Sequence, residues 1–235
     1  MYKRQTLPSP AALLALLAGA LLTTLYARGG AGWMLGFVAV VPWLWLLDRT
    51  RSWAGTVAAA LAITLALVLA GFAWFGLAIG RFTGLGPEIG LALLVPLAPL
   101  LQPQVLVWAM LRRAVRERHG DALGALAGAA GWVGTEWLLL KPLGDTLSIG
   151  LYPSELLRQA ADLGGTAGLT LLLLMVNEAL NAALVRRRQG PRALAAPALA
   201  AVLPPLLLAG YGLAVLGRAV DPQACLLYTS PSPRD

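Results

Sequence analysis

The chain has 235 residues, of which 58% are hydrophobic and 12% are charged. Soluble domains carry about 45–50% apolar and about 25% charged residues, so this composition excludes an ordinary water-soluble domain. Mean hydropathy is +0.73 over the whole chain, which predicts an integral membrane protein. The single Cys225 and the single His119 exclude a disulfide framework and a thiolate metal cluster, and we expect neither a metal site nor a cofactor.

Seven apolar runs are long enough to cross a hydrocarbon core of about 30 Å, which takes about 20 helical residues. These Leu- and Ala-rich runs lack the alternating pattern of barrel strands, so they are predicted to be helices. The expected fold is therefore all-α, a polytopic membrane helical bundle. Its predicted spans are 7–26, 30–47, 53–79, 89–111, 122–140, 167–185 and 193–216.

The lysines and arginines of the short loops predict the orientation of the bundle. With the N-terminus in the cytoplasm, 12 of the 18 basic residues fall in cytoplasmic segments and 6 in outer segments. The positive-inside rule therefore predicts a cytoplasmic N-terminus and a periplasmic C-terminus. The net charge of +7 is assigned to loops at the level of the lipid headgroups, so we expect the lipid bilayer and no nucleic acid as a partner.

Carboxylates inside the predicted spans are candidates for chemistry, because an ionised carboxyl in hydrocarbon costs a few kcal/mol. Glu136 lies near the outer end of the fifth span and Glu88 begins the fourth. Glu136 could contact headgroups or substrate, or it could make a structural hydrogen bond to a neighbouring helix or to Lys141. Glu178 lies between Asn177 and Asn181 in the sixth span, and this pattern favours hydrogen bonding between helices over catalysis.

Three further patterns predict local structure. Gly124, Gly128, Gly131 and Thr135 form a stripe of small side chains on the fifth span, where other helices can approach closely. Residues 154–163 are predicted to form a short amphipathic helix on the outer surface with Ser154 as its N-cap. Prolines at positions 96, 99 and 103 are expected to kink the fourth span.

Motifs of intramembrane catalysis do not occur in this sequence. It contains no G-x-S-x-G, no H-E-x-x-H, no pair of aspartates within a span and no cysteine within the predicted bundle. Cys225 follows the last span without a partner histidine, which disfavours it as a nucleophile. We therefore assign no catalytic residue from the sequence.

The segment that begins at Gln159, QAADLGGTAGLTLLLLMVN, resembles the membrane region of apolipoprotein N-acyltransferase, an enzyme of bacterial lipoprotein maturation. That family shows the pattern Q-x-A-D-x-x-G-x-x-G-L-[ST] before its sixth span. The matching positions here are Gln159, Ala161, Asp162, Gly165, Gly168, Leu169 and Thr170, with Asn177 following. Thr135-Glu136-Trp137-Leu138 resembles the family's Glu-Trp-Leu motif, and Gly71, Trp74 and Phe82 resemble its long third helix.

The chain also departs from the family pattern. The family has a Gly-Phe-Pro-Trp segment after Glu-Trp-Leu, whereas Gly144-Asp145-Thr146-Leu147 and then Tyr152-Pro153 stand here. The family's catalytic part, a periplasmic nitrilase-like domain with a Glu-Lys-Cys triad, would follow the seventh span and is expected to be absent. Residues 1–5 and 226–235 resemble translated sequencing adapters, so we expect a truncated gene. The predicted division is a 1–6 tail, a 7–217 transmembrane domain and a 218–235 periplasmic tail.

The resemblance implies a function for the intact protein in the bacterial inner membrane. A cysteine thiolate would take an acyl chain from a phospholipid and pass it to the α-amino group of a diacylglyceryl-cysteine on an apolipoprotein. This chain would anchor the enzyme and position both lipids, and it is expected to be inactive without the triad. Glu136, Trp137, Gln159 and Asp162 are the substrate-binding candidates that follow from the resemblance.

Two other functions remain open from the sequence. A transporter or permease fragment would show an internal repeat with Gly- or Pro-interrupted spans in both halves, but the proline pattern of the fourth span is not repeated. A different lipid-modifying enzyme would need its own polar cluster within the bundle, where the sequence offers scattered glutamates.

Overall fold

The computed structural model describes residues 9–139 and 143–218, and no β-strand occurs among them. The helices confirm the predicted all-α class. Two short 3-10 helices, Gly30–Phe37 and Leu147–Leu151, lie between them. The ten α-helices are α1 Pro10–Ala27, α2 Val41–Leu47, α3 Trp53–Gly71, α4 Ala73–Thr83, α5 Pro87–Leu101, α6 Pro103–His119, α7 Asp121–Leu138, α8 Glu155–Gln159, α9 Ala161–Arg186 and α10 Pro191–Leu216.

Five helical segments of the described residues are long and apolar enough to cross a membrane. The pair α5 and α6, bent by 46°, would be a sixth. The predicted span 122–140 corresponds to α7, which is not among them because four glycines, Asp121 and Glu136 lower its apolarity. The count of seven membrane spans and the orientation of the termini therefore stay predictions. The five segments are Pro10–Ala27, Gly30–Leu47, Trp53–Gly71, Ala161–Arg186 and Pro191–Leu216.

The predicted single span 53–79 is wrong, because the helix ends at Gly71 and a new one begins at Ala73. The second helix, α4, packs along α5 instead of continuing α3. Glycines make this contact close: a Cβ added at Gly76 would lie 2.9 Å from the carbonyl oxygen of Gly90. The short α4 therefore forms a tight hairpin with α5.

Other predicted boundaries also shift. The span 89–111 is interrupted at Gln102, directly before Pro103, which confirms the expected kink. The helix predicted over 154–163 ends at Gln159, although its predicted N-cap is confirmed, since the Ser154 hydroxyl accepts from the Leu157 amide. The helix α9 is broken at Gly165, whose φ of 63° suits a residue without a Cβ. Its long part follows this break, which agrees with the predicted start of the sixth span at 167.

The glycine stripe of α7 brings α6 into close contact, as its spacing predicts. A Cβ added at Gly128 would lie 2.8 Å from the Cβ of Arg112 and 3.2 Å from the carbonyl oxygen of Trp108. Next to this contact the rings of Trp108 and Trp132 meet edge to face at 5.7 Å between centroids. The two helices therefore pack backbone to backbone over much of their length.

Asn177 joins α9 to the segment that precedes α2. Its amide nitrogen donates to the carbonyl oxygens of Gly36 and Leu173, both at 2.8 Å, and its amide oxygen accepts from the Val40 N–H at 2.9 Å. The side chain is fully buried. It satisfies backbone groups where the 3-10 helix passes into α2, which lipid could not do.

A buried ionic cluster joins α2, α6 and α9 at the end of the bundle that is predicted to be cytoplasmic. Arg112 donates to both oxygens of Glu178, at 2.9 Å through Nη2, and to Asp48 Oδ1 at 2.8 Å. Arg116 also donates to Asp48, and Asn181 donates to it at 2.7 Å. Glu178 thus holds helices together, as its position between two asparagines predicts.

Asp48 lies just beyond the second predicted span, where its ion pairs determine its protonation. Burial alone would raise the pKa of this carboxyl, but the guanidinium of Arg112, the hydrogen bonds from Arg112 and Asn181, and the charge of Arg116 together lower it. The cluster thus keeps Asp48 ionised. Its contribution to stability is present above the ordinary aspartate pKa of about 3.9 and is lost as pH falls through the lowered value.

Substituting Gly128→Ala should destabilise the bundle by about 1–3 kcal/mol, because the added methyl group meets α6 at distances that its backbone cannot accommodate. Thermal unfolding of the purified chain in detergent measures the effect. Gly134→Ala in the same helix is the control, since a Cβ there meets nothing within 4 Å. Equal melting temperatures for the two variants would contradict the close packing of α6 and α7.

Arg112→Gln should lower the free energy of unfolding by about 3–5 kcal/mol, because it leaves two buried carboxylates, Asp48 and Glu178, without their shared cation. Arg118→Gln is the matched control, since Arg118 is exposed on the same helix. The comparison uses the same detergent unfolding assay. An Arg112→Gln protein that melts with the Arg118→Gln control would show that the ionic cluster does not hold the helices.

Candidate functional site

A cavity of about 280 Å³ lies at the end of the bundle opposite the ionic cluster. The helix α7 runs between the two ends of the bundle. Its residue 121 lies near the ionic cluster and its residue 136 at the cavity, about 22 Å apart along the helix axis. Its apolar wall consists of Tyr26, Trp43, Leu67, Phe72, Trp74 and Trp132. Its polar wall consists of Gln102, Gln104, Glu136, Asp145 and Thr146. The cavity is therefore amphipathic and suits a ligand with both an apolar and a polar part.

Glu136 is held in the cavity wall by hydrogen bonds to both carboxyl oxygens. The indole N–H of Trp132, one helical turn earlier, donates to Oε1 at 3.0 Å. The hydroxyl of Thr146 donates to Oε2 at 3.0 Å. The carboxylate is thus fixed in place beside the cavity. Its described partners lie on its own helix and in the segment that follows, not on a neighbouring helix as predicted, and the predicted contact with Lys141 lies outside the described residues.

The segment after α7 is joined to two helices. The hydroxyls of Thr146 and Thr170 are 2.9 Å apart, and Thr170 on α9 also accepts from the Ser148 N–H at 3.3 Å. Tyr26 on α1 donates its hydroxyl to the carbonyl oxygen of Leu147 at 2.7 Å. These bonds position residues 145–150 as one wall of the cavity.

The helix break before Pro103 supplies the two buried glutamines. Gln102 has non-helical dihedral angles, φ −132° and ψ 58°, because proline excludes the α conformation for the residue that precedes it. Its side chain donates to Asp145 Oδ2 at 2.7 Å and accepts from Gln104 Nε2. Both glutamines are 1% exposed. The break therefore places amide groups in a part of the bundle that is otherwise apolar.

The amide oxygen of Gln104 has no hydrogen-bond partner in the described part of the chain. Its orientation is fixed, because the amide nitrogen must face the oxygen of Gln102. A buried acceptor without a donor costs about 1–3 kcal/mol. A buried acceptor without a described donor therefore lies in the wall of this cavity.

The four substrate-binding candidates do not all meet at this cavity. Glu136 lines it, whereas the side chain of Trp137 is 79% exposed on the outside of α7. Gln159 is half-buried at the end of α8, and Asp162 is exposed at the start of α9, where it accepts from the Tyr211 hydroxyl at 3.4 Å. Neither belongs to the described lining of the cavity.

Sequence reasoning did not select several polar residues of this site as candidates, among them Gln102, Gln104, Asp145 and Thr146. The two glutamines carried a usable signal, because polar side chains beside a proline within an apolar run are costly in a membrane. Asp145 and Thr146 lie in the segment that departs from the family pattern. Nothing local in the sequence indicates that they fold back against Gln102 and Glu136.

The described residues include no group of three or more histidines, cysteines, aspartates or glutamates arranged to hold a metal ion. The carboxylates that line the cavity instead accept from amide, indole and hydroxyl donors.

Comparison with known proteins gives one family. The family described as apolipoprotein N-acyltransferase N-terminal domain matches residues 5–179, which is more than half of the chain. The match contains every lining residue of the cavity and all four substrate-binding candidates. No curated protein matches the chain.

Thr146→Val should destabilise the protein by about 0.5–1.5 kcal/mol, because Glu136 loses one of its donors in a partly buried place while the volume of the side chain is kept. Thermal unfolding in detergent measures this loss. Thr83→Val is the control, since Thr83 is exposed and its hydroxyl bonds within its own helix. Indistinguishable melting curves for the two variants would show that Thr146 does not help to hold Glu136.

Proposed function

The chain belongs to the apolipoprotein N-acyltransferase N-terminal domain family, and from this premise we propose that it is the part of such an enzyme that binds lipid substrates within the membrane. The acyl donor is a phospholipid, and the acceptor is the diacylglyceryl-cysteine at the N-terminus of an apolipoprotein. Residues 7–217 form the proposed transmembrane domain, and the proposed location is the bacterial inner membrane.

The observation that carries this proposal is the amphipathic cavity within the part of the chain that matches the family. The aromatic wall fits acyl chains or a glyceryl group. The polar wall consists mainly of acceptors, among them the Glu136 carboxylate and the unpartnered Gln104 oxygen. An α-amino group has a pKa of about 8 and is a protonated donor at neutral pH, so its charge complements this wall.

The cavity is bordered on its lipid side by exposed aromatic and aliphatic groups. Trp74 is 59% exposed and Ile149 is 53% exposed, and both line the cavity. A lipid can therefore reach it from the bilayer with its chains in apolar surroundings throughout. Trp137, with its indole on the outside of α7, is proposed to anchor this end at the membrane interface.

Gln159 and Asp162 have a separate proposed role. They lie where α8 meets α9, on the side where residues 145–150 also contact α9. Their polar groups are proposed to bind the part of the apolipoprotein that leaves the membrane after its lipidated cysteine. Asp162 keeps an acceptor at the surface, since its bond to Tyr211 is a long one of 3.4 Å.

Acyl transfer in the intact enzyme is proposed to follow the route that the family resemblance implies. A cysteine thiolate attacks the ester carbonyl of the phospholipid and a lysophospholipid leaves. The amino group of the acceptor then attacks the thioester, gives up its proton and releases the thiol. The role of this chain is to hold the acyl donor and the acyl acceptor in place, which makes the reaction between them effectively intramolecular.

Filling the cavity tests the proposal. Gly71 lines the cavity, and a Cβ at this position meets nothing within 4 Å, so Gly71→Phe places a ring in the cavity without a backbone clash. We expect the full chain in nanodiscs to bind a synthetic diacylglyceryl-cysteine peptide at least tenfold more weakly after this change. Binding is measured by titration with a fluorescently labelled peptide.

Gly210→Phe is the matched control, since Gly210 is exposed on α10 and its Cβ direction is also open. Glu136→Gln in the same assay should weaken binding of the free amine and leave binding of the N-acetylated peptide unchanged. If the peptide binds Gly71→Phe and Gly210→Phe equally, the cavity is not the substrate site. If wild type prefers neither form of the peptide, the proposed role of Glu136 fails.

A further inference from the structure

A second cavity, of about 460 Å³, lies at the opposite end of the bundle among α7, α9 and α10. One side of it is apolar and includes Met175, Ala200 and Pro204. Its mouth is charged, with Arg116, Asp121 and Arg186 around it. A cavity that is charged at the bundle end and apolar toward the middle has the polarity of a phospholipid seated in the leaflet at that end.

The mouth presents two guanidinium groups that share one carboxylate. Arg116 Nε donates to Asp121 Oδ1 at 2.7 Å, and Arg186 Nη2 lies 3.9 Å from Asp121 Oδ2. Their side chains are 36% and 40% exposed. Each guanidinium carries five N–H donors, so the shared carboxylate leaves donor capacity that fits the oxygens of a phosphate.

Behind the mouth, the back wall of the cavity contains acceptors. Glu178 and Asp48 line it, and both are bound to Arg112. Asn181 also lines it and is 3% exposed, yet its amide oxygen has no partner among the described residues. The amide nitrogen donates to Asp48, which fixes that oxygen as the acceptor. One acceptor in this wall, the Asn181 oxygen, is therefore without a donor among the described residues.

We propose that this cavity binds a phospholipid whose headgroup carries N–H donors, taken from the leaflet at the charged end of the bundle, which is predicted to be the cytoplasmic one. The phosphate is bound by Arg116 and Arg186, and the headgroup ammonium points toward Asn181 and the carboxylates. The acyl chains lie along the apolar side of α10. A zwitterionic headgroup suits this site because its three arginines and three carboxylates balance in charge.

This site is separate from the cavity that the proposed function uses. It lies at the other end of α7 and shares no lining residue with the cavity at Glu136. A lipid bound here would stay in place during the acyl-transfer cycle and hold α10 against α7 and α9. The inference therefore does not depend on the outer cavity binding a substrate.

The test compares two lipids that differ only at the headgroup nitrogen, where three N–H groups are replaced by three N-methyl groups. Dioleoyl phosphatidylethanolamine and dioleoyl phosphatidylcholine have the same chains and phosphate, but the second has no N–H. Native mass spectrometry of the full chain, titrated with each lipid in detergent, reports apparent affinity. Gly71→Phe is present in every variant, so that the outer cavity does not contribute. We expect several-fold tighter binding of the phosphatidylethanolamine.

Two matched pairs of variants locate the bound lipid. Arg186→Gln should weaken phosphatidylethanolamine binding about fivefold, whereas Arg188→Gln, on an exposed neighbour outside the lining, should not. Ala200→Phe should fill the apolar wall and remove the preference, whereas Leu199→Phe on the exposed side of α10 should not. All four sites are partly or fully exposed, and melting temperatures verify that each variant folds.

Three outcomes would overturn the proposal. Equal affinity for the two lipids would show that donors at the headgroup are not recognised. Equal losses in Arg186→Gln and Arg188→Gln would indicate general attraction to the basic loops, and phosphatidylglycerol would then bind best. Unchanged binding in Ala200→Phe would place the lipid elsewhere. Each result is independent of the peptide titration, which reports only on the outer cavity.

Discussion

The fold depends on the rule that polar groups in hydrocarbon must find partners within the protein. Arg112 shows its effect most directly, because one guanidinium bonds Glu178 on α9 and Asp48 after α2 while its own backbone belongs to α6. The side chains of Arg112 and Glu178 are only 8% exposed at this end of the bundle, so their charges are compensated mainly by each other and by Asp48. The helices therefore have one arrangement in which these charges are neutralised, and α7 can then pack against α6 along its glycines.

The sequence predicts the parts of the fold that follow from local pattern. The length of the apolar runs predicts most of the helices. The spacing of Asn177, Glu178 and Asn181 predicts an interhelical contact that the structure confirms. It does not predict the break at Phe72, because the residues on both sides of it are equally apolar. That break is a tertiary effect, since α4 gains close glycine contacts with α5 that a straight helix would not reach.

The candidate site was predictable to a smaller extent. Glu136 stood out because a carboxylate in a span is rare, and it does line the cavity. Its partner Thr146 bonds Thr170, which is 24 residues further along the chain, and this contact forms only when α9 packs beside the segment after α7. Gln159 and Asp162, in contrast, were chosen from the family pattern alone, and such a pattern contains no information on which of its residues face one cavity.

The segment that departs from the family pattern contributes hydrogen bonds to the wall of the cavity. Asp145 and Thr146 stand where the family has aromatic and proline residues, and here they bond Gln102 and Glu136. A phenylalanine in place of Asp145 could not accept the hydrogen bond from Gln102. A proline in place of Thr146 could not donate one to Glu136. The glutamines beside the helix break and the polar segment are thus joined by hydrogen bonds. The residues that depart from the family sequence and the polar residues of the cavity therefore belong to one hydrogen-bond network.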